Sequence, residues 1–153
     1  MKTKLKTYVI IVSEKFMKGH PKAGEPTHFV DKILNEEKIH TIRENGPLWE
    51  KRIKEVQAGR AVLSLRVWTG KPYRSKQKEV LKLTKFDGVG VQQLDFKDTG
   101  PYVDFLIPMN PKTSIPILAN NDGLETHDFM FWFQGKGFTT PFVIIHFTPY
   151  RYS

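Results

Sequence analysis

The sequence predicts an α+β domain in which short strands form a curled sheet or barrel with a few short helices around it. Three observations lead there. From Arg60 onward, apolar residues recur with period two in short runs separated by Gly- and Pro-containing turns. Before Arg60, two segments carry the three-to-four-residue spacing of amphipathic helices. The length of 153 residues, with 39% hydrophobic and 26% charged, suits one domain with a core of its own. No repeat, low-complexity tract or linker divides the chain, so residues 1–153 are taken as a single domain.

The elements follow in order. Tyr8 to Glu14 reads as the first strand, and "KGHPKAGEPT" after it is rich in turn formers. Pro26-Thr27 is placed to start a helix whose apolar residues are Phe29, Val30, Ile33 and Leu34. "KIHTIR", Lys38 to Arg43, alternates like a strand, although neither of its faces is cleanly apolar. Asn45 can cap a second helix with Pro47 in its first turn; Trp49, Ile53 and Val56 form its stripe and Gly59 stops it. "AVLSLRVWT" then places Ala61, Leu63, Leu65 and Val67 on one strand face, with Ser64, Arg66 and Trp68 on the other. "EVLKLTKF", "GVGVQQLDF" and "YVDFLIP" read as further strands, "NNDGLETHDFMFWF" as a third helix, and "PFVIIHFT" as the last strand.

The absence of cysteine excludes disulfides and thiolate metal sites and fits a reducing compartment. The apolar run from Tyr8 to Val12 is too short for a signal sequence or a membrane span, so a cytoplasmic protein without membrane contact is expected. The five histidines (His20, His28, His40, His127 and His146) show no metal-ligand spacing. The lone Gly-x-Gly of "FDGVGVQQ" lacks the following helix of a phosphate loop, and neither metal nor cofactor is expected. The net charge of +8 favours a phosphate-bearing partner: RNA, another single-stranded nucleic acid, or a nucleotide.

"FVDKILNEEKIHTIR" resembles the opening signature of ASCH domains, which belong to the PUA-like superfamily of β-barrels. In that signature a short helix ending in Ile-Leu turns into a Lys-x-x-Thr-x-Arg strand, and Lys38, Thr41 and Arg43 fall on its three positions. "ANNDGLETHDF" and "FVIIHF" resemble later parts of small bacterial ASCH proteins. The resemblance implies a PUA-like mixed β-barrel with short flanking helices. It also implies two functions: nucleic-acid or nucleotide binding, and, as an alternative, amidohydrolase action on an acylated base or nucleoside such as acetylcytidine. For the second, it assigns catalytic positions to Lys38, Thr41 and an acidic residue. The acidic position falls on Asp122, one methylene shorter than the glutamate of those enzymes.

Strand geometry constrains this assignment, because residues three apart point to opposite faces. Lys38 and Thr41 can converge only if Lys38 lies in the turn before the strand or at a bulge. Thr41 would then be the nucleophile, Lys38 its base if burial lowers the amine's pKa, and Asp122 an acid or water-positioning group. Arg43 shares the Thr41 face and can hold a substrate oxygen. Plainer roles exist for the same residues: Lys38 suits the negative end of the preceding helix, and Asp122 with Glu125 fits a D-x-x-E capping box.

A second constellation is "RVWTGKPYRSKQK", where Arg66, Lys71, Arg74, Lys76 and Lys78 are interleaved with Trp68 and Tyr73. Aromatic faces stack on bases while the cations hold phosphates, so Arg66, Trp68, Lys71, Tyr73, Arg74 and Lys76 join Arg43 as candidate nucleic-acid contacts. A protein-interaction domain that binds no nucleic acid is a third alternative, which an exposed apolar patch would mark.

Overall fold

In a computed structural model of the chain, residues 4–98, 103–134 and 141–153 are described. The chain is a mixed α+β structure with two separate sheets. The three-stranded sheet has the order β1 (Lys6–Ile11), β3 (Ala61–Trp68), β4 (Gln77–Leu83). The four-stranded sheet has the order β2 (His40–Arg43), β7 (Phe142–His146), β5 (Gly90–Asp98), β6 (Val103–Leu106). Four helices accompany them: α1 (Phe29–Leu34), α2 (Gly46–Gln57), α3 (Ile115–Asn121) and α4 (Thr126–Phe133).

The closed barrel expected from the sequence does not form among the described residues. β1 and β2 both stand at sheet edges, and no backbone ladder joins them. Instead, Arg43 reaches from β2 and donates through Nη2 to the carbonyl of Ile11, at the end of β1, at 2.7 Å. Its Nη1 donates to the Ile42 carbonyl at 3.1 Å. One guanidinium thus bridges a seam that a barrel would close with main-chain bonds. No helix among the described residues is long and apolar enough to cross a membrane.

β1 and β3 run parallel, with Tyr8 opposite Leu63 and Ile10 opposite Leu65, and α1, β2 and α2 lie in the crossover between them. β3 is the central strand of its sheet, and its inward Ala61, Leu63, Leu65 and Val67 are all buried, as the alternation requires. β7 is flanked by β2 and β5 and is buried on both faces, which explains its unbroken apolar run. Helix α2 packs against β3, β5 and β7 and so belongs to both sheets. Its stripe of Trp49, Ile53 and Val56 is buried, Asn45 Oδ1 accepts from Leu48 N at 3.4 Å, and Gly59 (φ 77°) ends it.

Several boundaries differ from the pattern in the sequence. α1 starts at Phe29 rather than Pro26, because Thr27 is used outside the helix: its hydroxyl donates to the Ser13 carbonyl at 2.7 Å and accepts from Phe29 N at 3.2 Å. β1 ends at Ile11, with Val12 N still donating to the Arg66 carbonyl at 2.8 Å. β4 begins earlier than the apolar alternation suggests, at Gln77, because the exposed half of the strand is polar. For the strand anticipated in "YVDFLIP", Tyr102 lies outside the described residues.

The expected third helix is two helices. Gly123, at φ 83°, takes the left-handed conformation that ends α3. Gly123 N donates to Asn120 O at 3.0 Å and Leu124 N to Ala119 O at 2.9 Å, the paired bonds of a Schellman motif. A Cβ on Gly123 would lie 3.0 Å from Cβ of Lys38, so the turn also needs glycine for contact with the lysine stem.

Candidate functional site

Lys38 stands in the turn between α1 and β2, as the convergence with Thr41 requires. Lys38 N donates to the Lys32 carbonyl at 3.0 Å and Ile39 N to the Asn121 carbonyl at 2.9 Å, which ties this turn to the end of α3. Lys38 is 3% exposed. Its Nζ donates to the Asp122 carbonyl at 2.7 Å and to Asp122 Oδ1 at 3.1 Å, and lies 4.3 Å from the ring centroid of Phe29. Lys32 Nζ donates to the next carbonyl, Gly123 O, at 2.8 Å. Two lysines therefore satisfy carbonyls that the end of α3 leaves open. Lys38, anticipated as an exposed lysine at the exit of the preceding helix, is instead buried and serves the end of α3.

Asp122 is the C-terminal cap residue of α3, not the start of a capping box. Helix α4 begins at Thr126, and no side-chain hydrogen bond caps it. The Asp122 carboxylate is turned inward, where its Oδ1 meets Lys38 Nζ and also lies 3.2 Å from His40 Nδ1. Burial alone would raise this carboxyl, but the Lys38 ammonium and the His40 ring outweigh it and hold the pKa below the usual value. Asp122 is thus an anion that accepts hydrogen bonds, and the proton-donor role anticipated for it does not suit this charge state. Burial pulls the Lys38 pKa down, with Asp122 opposing in part.

Thr41 is 4% exposed and lines one small pocket with Lys38, Asp122 and Arg43. Val12, Ser13, Phe29, Ile42, Trp132 and Phe133 complete its wall. The volume is about 20 Å³, room for about one water. Ile42, Arg43, Trp132 and Phe133 also form a wall of a second, open cleft of about 600 Å³, which Glu44, Trp49 and Phe142 complete. That size lies within the usual range of small-molecule sites, about 300–1,000 Å³. Arg43, expected to hold a substrate oxygen, instead spends two donors on the Ile11 and Ile42 carbonyls while facing both spaces. Burial lowers its pKa, with Asp122 partly offsetting this.

The basic-aromatic loop borders a third cleft, of about 670 Å³. Trp68, Lys71 and Tyr73 line it opposite residues Ile11 to Lys15. Val12 and Ser13 belong to its wall and to that of the Lys38 pocket, so the two candidate constellations are neighbours. The Trp68 and Tyr73 rings lie 5.2 Å apart, and Tyr73, at φ 63°, is 89% exposed. Arg66 is oriented by Ser64 Oγ at 2.9 Å and Gln77 Oε1 at 3.1 Å. Arg74 and Lys76 are exposed and line neither the Lys38 pocket nor the loop's cleft.

Sequence reasoning missed His40 and Tyr152. Both are buried, His40 Nδ1 lies 3.2 Å from Asp122 Oδ1, and Tyr152 OH lies 2.7 Å from His40 Nε2. His40 left a trace in its parity with Lys38, which predicts a shared face. Tyr152, next to Ser153 in the chain, left none. Comparison of the chain with protein-family models, curated proteins and solved structures finds no match to any of them.

The Lys38–Asp122 pair gives a thermodynamic test. Lys38→Met or Asp122→Leu alone is expected to cost about 3–5 kcal/mol, because each strands a buried polar or charged partner. The double variant is expected to cost less than the sum of the two by more than about 1 kcal/mol, read from urea denaturation of all four proteins. Additive losses would mean that the two groups do not depend on each other.

Proposed function

We propose that the chain is an amidohydrolase that removes an acyl group from an exocyclic amine of a nucleobase or nucleoside. One observation carries this reading: Lys38, Thr41 and Asp122, drawn from three separate turns and strands, line one buried pocket that shares a wall with an aromatic cleft of about 600 Å³. The cleft offers Trp49, Trp132, Phe133 and Phe142 as apolar surface for a base. The inner pocket has room for about one water, so this reading requires the shared Trp132–Phe133 wall to move before an acyl group reaches Thr41.

The chemistry divides among the residues as follows. Lys38 rests as the ammonium of the ion pair and must first release a proton, which burial eases by lowering its pKa. The Thr41 hydroxyl then attacks the acyl carbon while its proton passes to the neutral amine. The C–N bond breaks, and the Lys38 ammonium returns that proton to the departing nitrogen. Water then hydrolyses the Thr41 ester, releases the carboxylic acid and restores the hydroxyl. Asp122 stays ionised throughout and aims Lys38 through its carboxylate and its main-chain carbonyl. Its shorter side chain is matched by this position, since Gly123 lets the backbone itself come to the lysine.

The probe is purified protein with acetylcytidine. Turnover is expected, and Thr41→Ala is expected to reduce kcat on the order of a thousandfold or more. Wild-type turnover no greater than that of a Lys38→Ala control would sink the enzyme reading.

The second reading is binding without catalysis, as a nucleic-acid- or nucleotide-binding protein. The cleft between Trp68, Lys71 and Tyr73 and the exit of β1 favours it, because stacking rings and cations there adjoin the Lys38 pocket. Under this reading, reversing the charges of Arg74 and Lys76 weakens binding of single-stranded RNA and flattens its salt dependence. Unchanged binding and an unchanged salt slope would remove the loop from the interface.

A further inference from the structure

From Asp122 through His40, which alternates with Thr41 along β2, runs a line of buried polar groups that the deacylation scheme leaves unused. Asp122 Oδ1 is 3.2 Å from His40 Nδ1, His40 Nε2 is 2.7 Å from Tyr152 OH, and Tyr152 OH is 3.0 Å from Asn121 Nδ2. His40 is 0% exposed and Tyr152 3%. The C-terminal tail is held firmly enough to keep this register. Tyr152 N donates to Gln92 Oε1 at 2.8 Å, and Gln92 Nε2 donates to Tyr152 O at 2.9 Å.

The hydrogens in this line have one consistent direction. Asn121 Nδ2 can only donate, so the Tyr152 oxygen accepts from it. The tyrosine's own proton then goes to His40 Nε2, which must be bare, and His40 carries its hydrogen on Nδ1, facing a carboxylate that only accepts. The neighbouring buried histidines are arranged the other way. His146 faces Gln92 Oε1 through Nε2 at 2.9 Å, and that oxygen cannot donate, so His146 is protonated on Nε2. His20 accepts from Lys22 N through Nδ1 at 3.0 Å and donates through Nε2 to the Asp128 carbonyl at 3.0 Å. Of these three histidines, His40 alone is fixed in the Nδ1–H form.

We propose that Tyr152 and His40 are positioning residues for the catalytic pair, with Tyr152 holding His40 neutral and Nδ1-protonated so that Asp122 remains an anion shared between one ammonium and one neutral donor. The proposal rests on the deacylation reading for its catalytic consequence, but not for the proton arrangement itself. An imidazolium at His40 would need a second acceptor at Nε2. There it would meet a phenol whose oxygen already takes Asn121 and whose own proton burial keeps in place. It would also set a second cation beside Lys38, in competition for the same Oδ1. The other titratable groups nearby offer no relief. The His146 ring, 5.6 Å away centroid to centroid, is held neutral by burial with its pKa near 3, and Arg151 and Tyr150 lie beyond it. Burial is the main force that lowers the His40 pKa, with Asp122 opposing it. Removing the phenol's hydrogen bond takes away a contact made only by the neutral form, so His40 takes a proton at higher pH than in the wild type and draws Asp122 away from Lys38.

Nitrogen NMR of the histidine rings, in the intact chain without ligand, tests the arrangement directly. Wild-type His40, assigned by the signal lost in His40→Asn, is expected to show a protonated Nδ1 and a hydrogen-bonded, bare Nε2, with the reverse pattern at His20 and His146. In Tyr152→Phe the pH at which His40 takes its second proton is expected to rise by about one unit or more. An Nε2–H tautomer at His40, or a titration unmoved in Tyr152→Phe, overturns the proposal. The activity arm uses acetylcytidine. The acid limb of kcat against pH is expected to move upward with the NMR titration while KM changes little, whereas a purely structural role would lower kcat at every pH and leave the limb in place. His40→Asn keeps a donor near the Nδ1 position and is expected to retain more activity than His40→Leu; equal losses count against the role. Should Tyr152→Phe fail to fold, that pair and the wild-type tautomer still decide. A wild type that turns over no acetylcytidine defeats the deacylation reading, while the NMR result alone then supports or overturns the proton arrangement.

Discussion

The buried ion pair between Lys38 and Asp122 is the constraint around which the rest of the site is arranged. It joins residues 84 positions apart, with side chains 3% and 6% exposed. Removing two such charges from water costs several kcal/mol each, and their attraction repays it only when the remaining donors and acceptors are also satisfied. The surrounding groups meet that demand. The Asp122 carbonyl takes a second lysine hydrogen, the Phe29 face covers the ammonium, and His40 supplies the carboxylate with a further donor. Gly123 lets the chain turn sharply and lie directly on the lysine stem. Take away any one of these and the pair becomes a liability.

From this pair, the positions of the other parts follow. Anchoring the α3–α4 turn to the exit of α1 brings Trp132 and Phe133 against Arg43, and their common wall separates the small polar pocket from the larger aromatic cleft. Arg43 holds the seam between two sheet edges and faces both spaces. On the far side, Val12 and Ser13 stand between the same pocket and the cleft of Trp68 and Tyr73. A larger apolar cleft, a small pocket lined by Lys38, Thr41 and Asp122, and a basic loop therefore lie side by side.

Local signals were legible in the sequence, and non-local ones were not. The capped helix α2, the alternation of β3 and the apolar run of β7 follow from spacing within a few residues, and all three stand as expected. Read as one strand, Lys38 to Arg43 would keep Lys38 and Thr41 on opposite faces. Parity lets them meet only from a turn or a bulge, and β2 starts at His40, which leaves Lys38 in the turn. Parity could not find Asp122, whose candidacy came from a resemblance to ASCH domains, and the capping pattern there pointed to a local role that the side chain does not play. The apolar stretch after Asn120 suggested one helix because hydrophobicity continues through a glycine that the backbone uses to turn. The barrel failed for a similar reason. Period two reveals strands but carries no information about which edges pair, and here a guanidinium stands where a ladder would run. His40 and Tyr152 escaped because their partners are 82 and 112 residues distant, and nothing in either neighbourhood advertises the contact.

The proposed deacylation depends on burial lowering the pKa of the Lys38 amine while Asp122 holds it in place. The most direct measurement is a pH titration of the Lys38 side-chain carbon next to the amine by NMR, with Lys38→Met to assign the signal. A midpoint clearly below the ordinary lysine value of 10.5 is expected. A Lys38 that titrates at or above that value would be a permanent cation in a structural pair, and that result would contradict its role as a base.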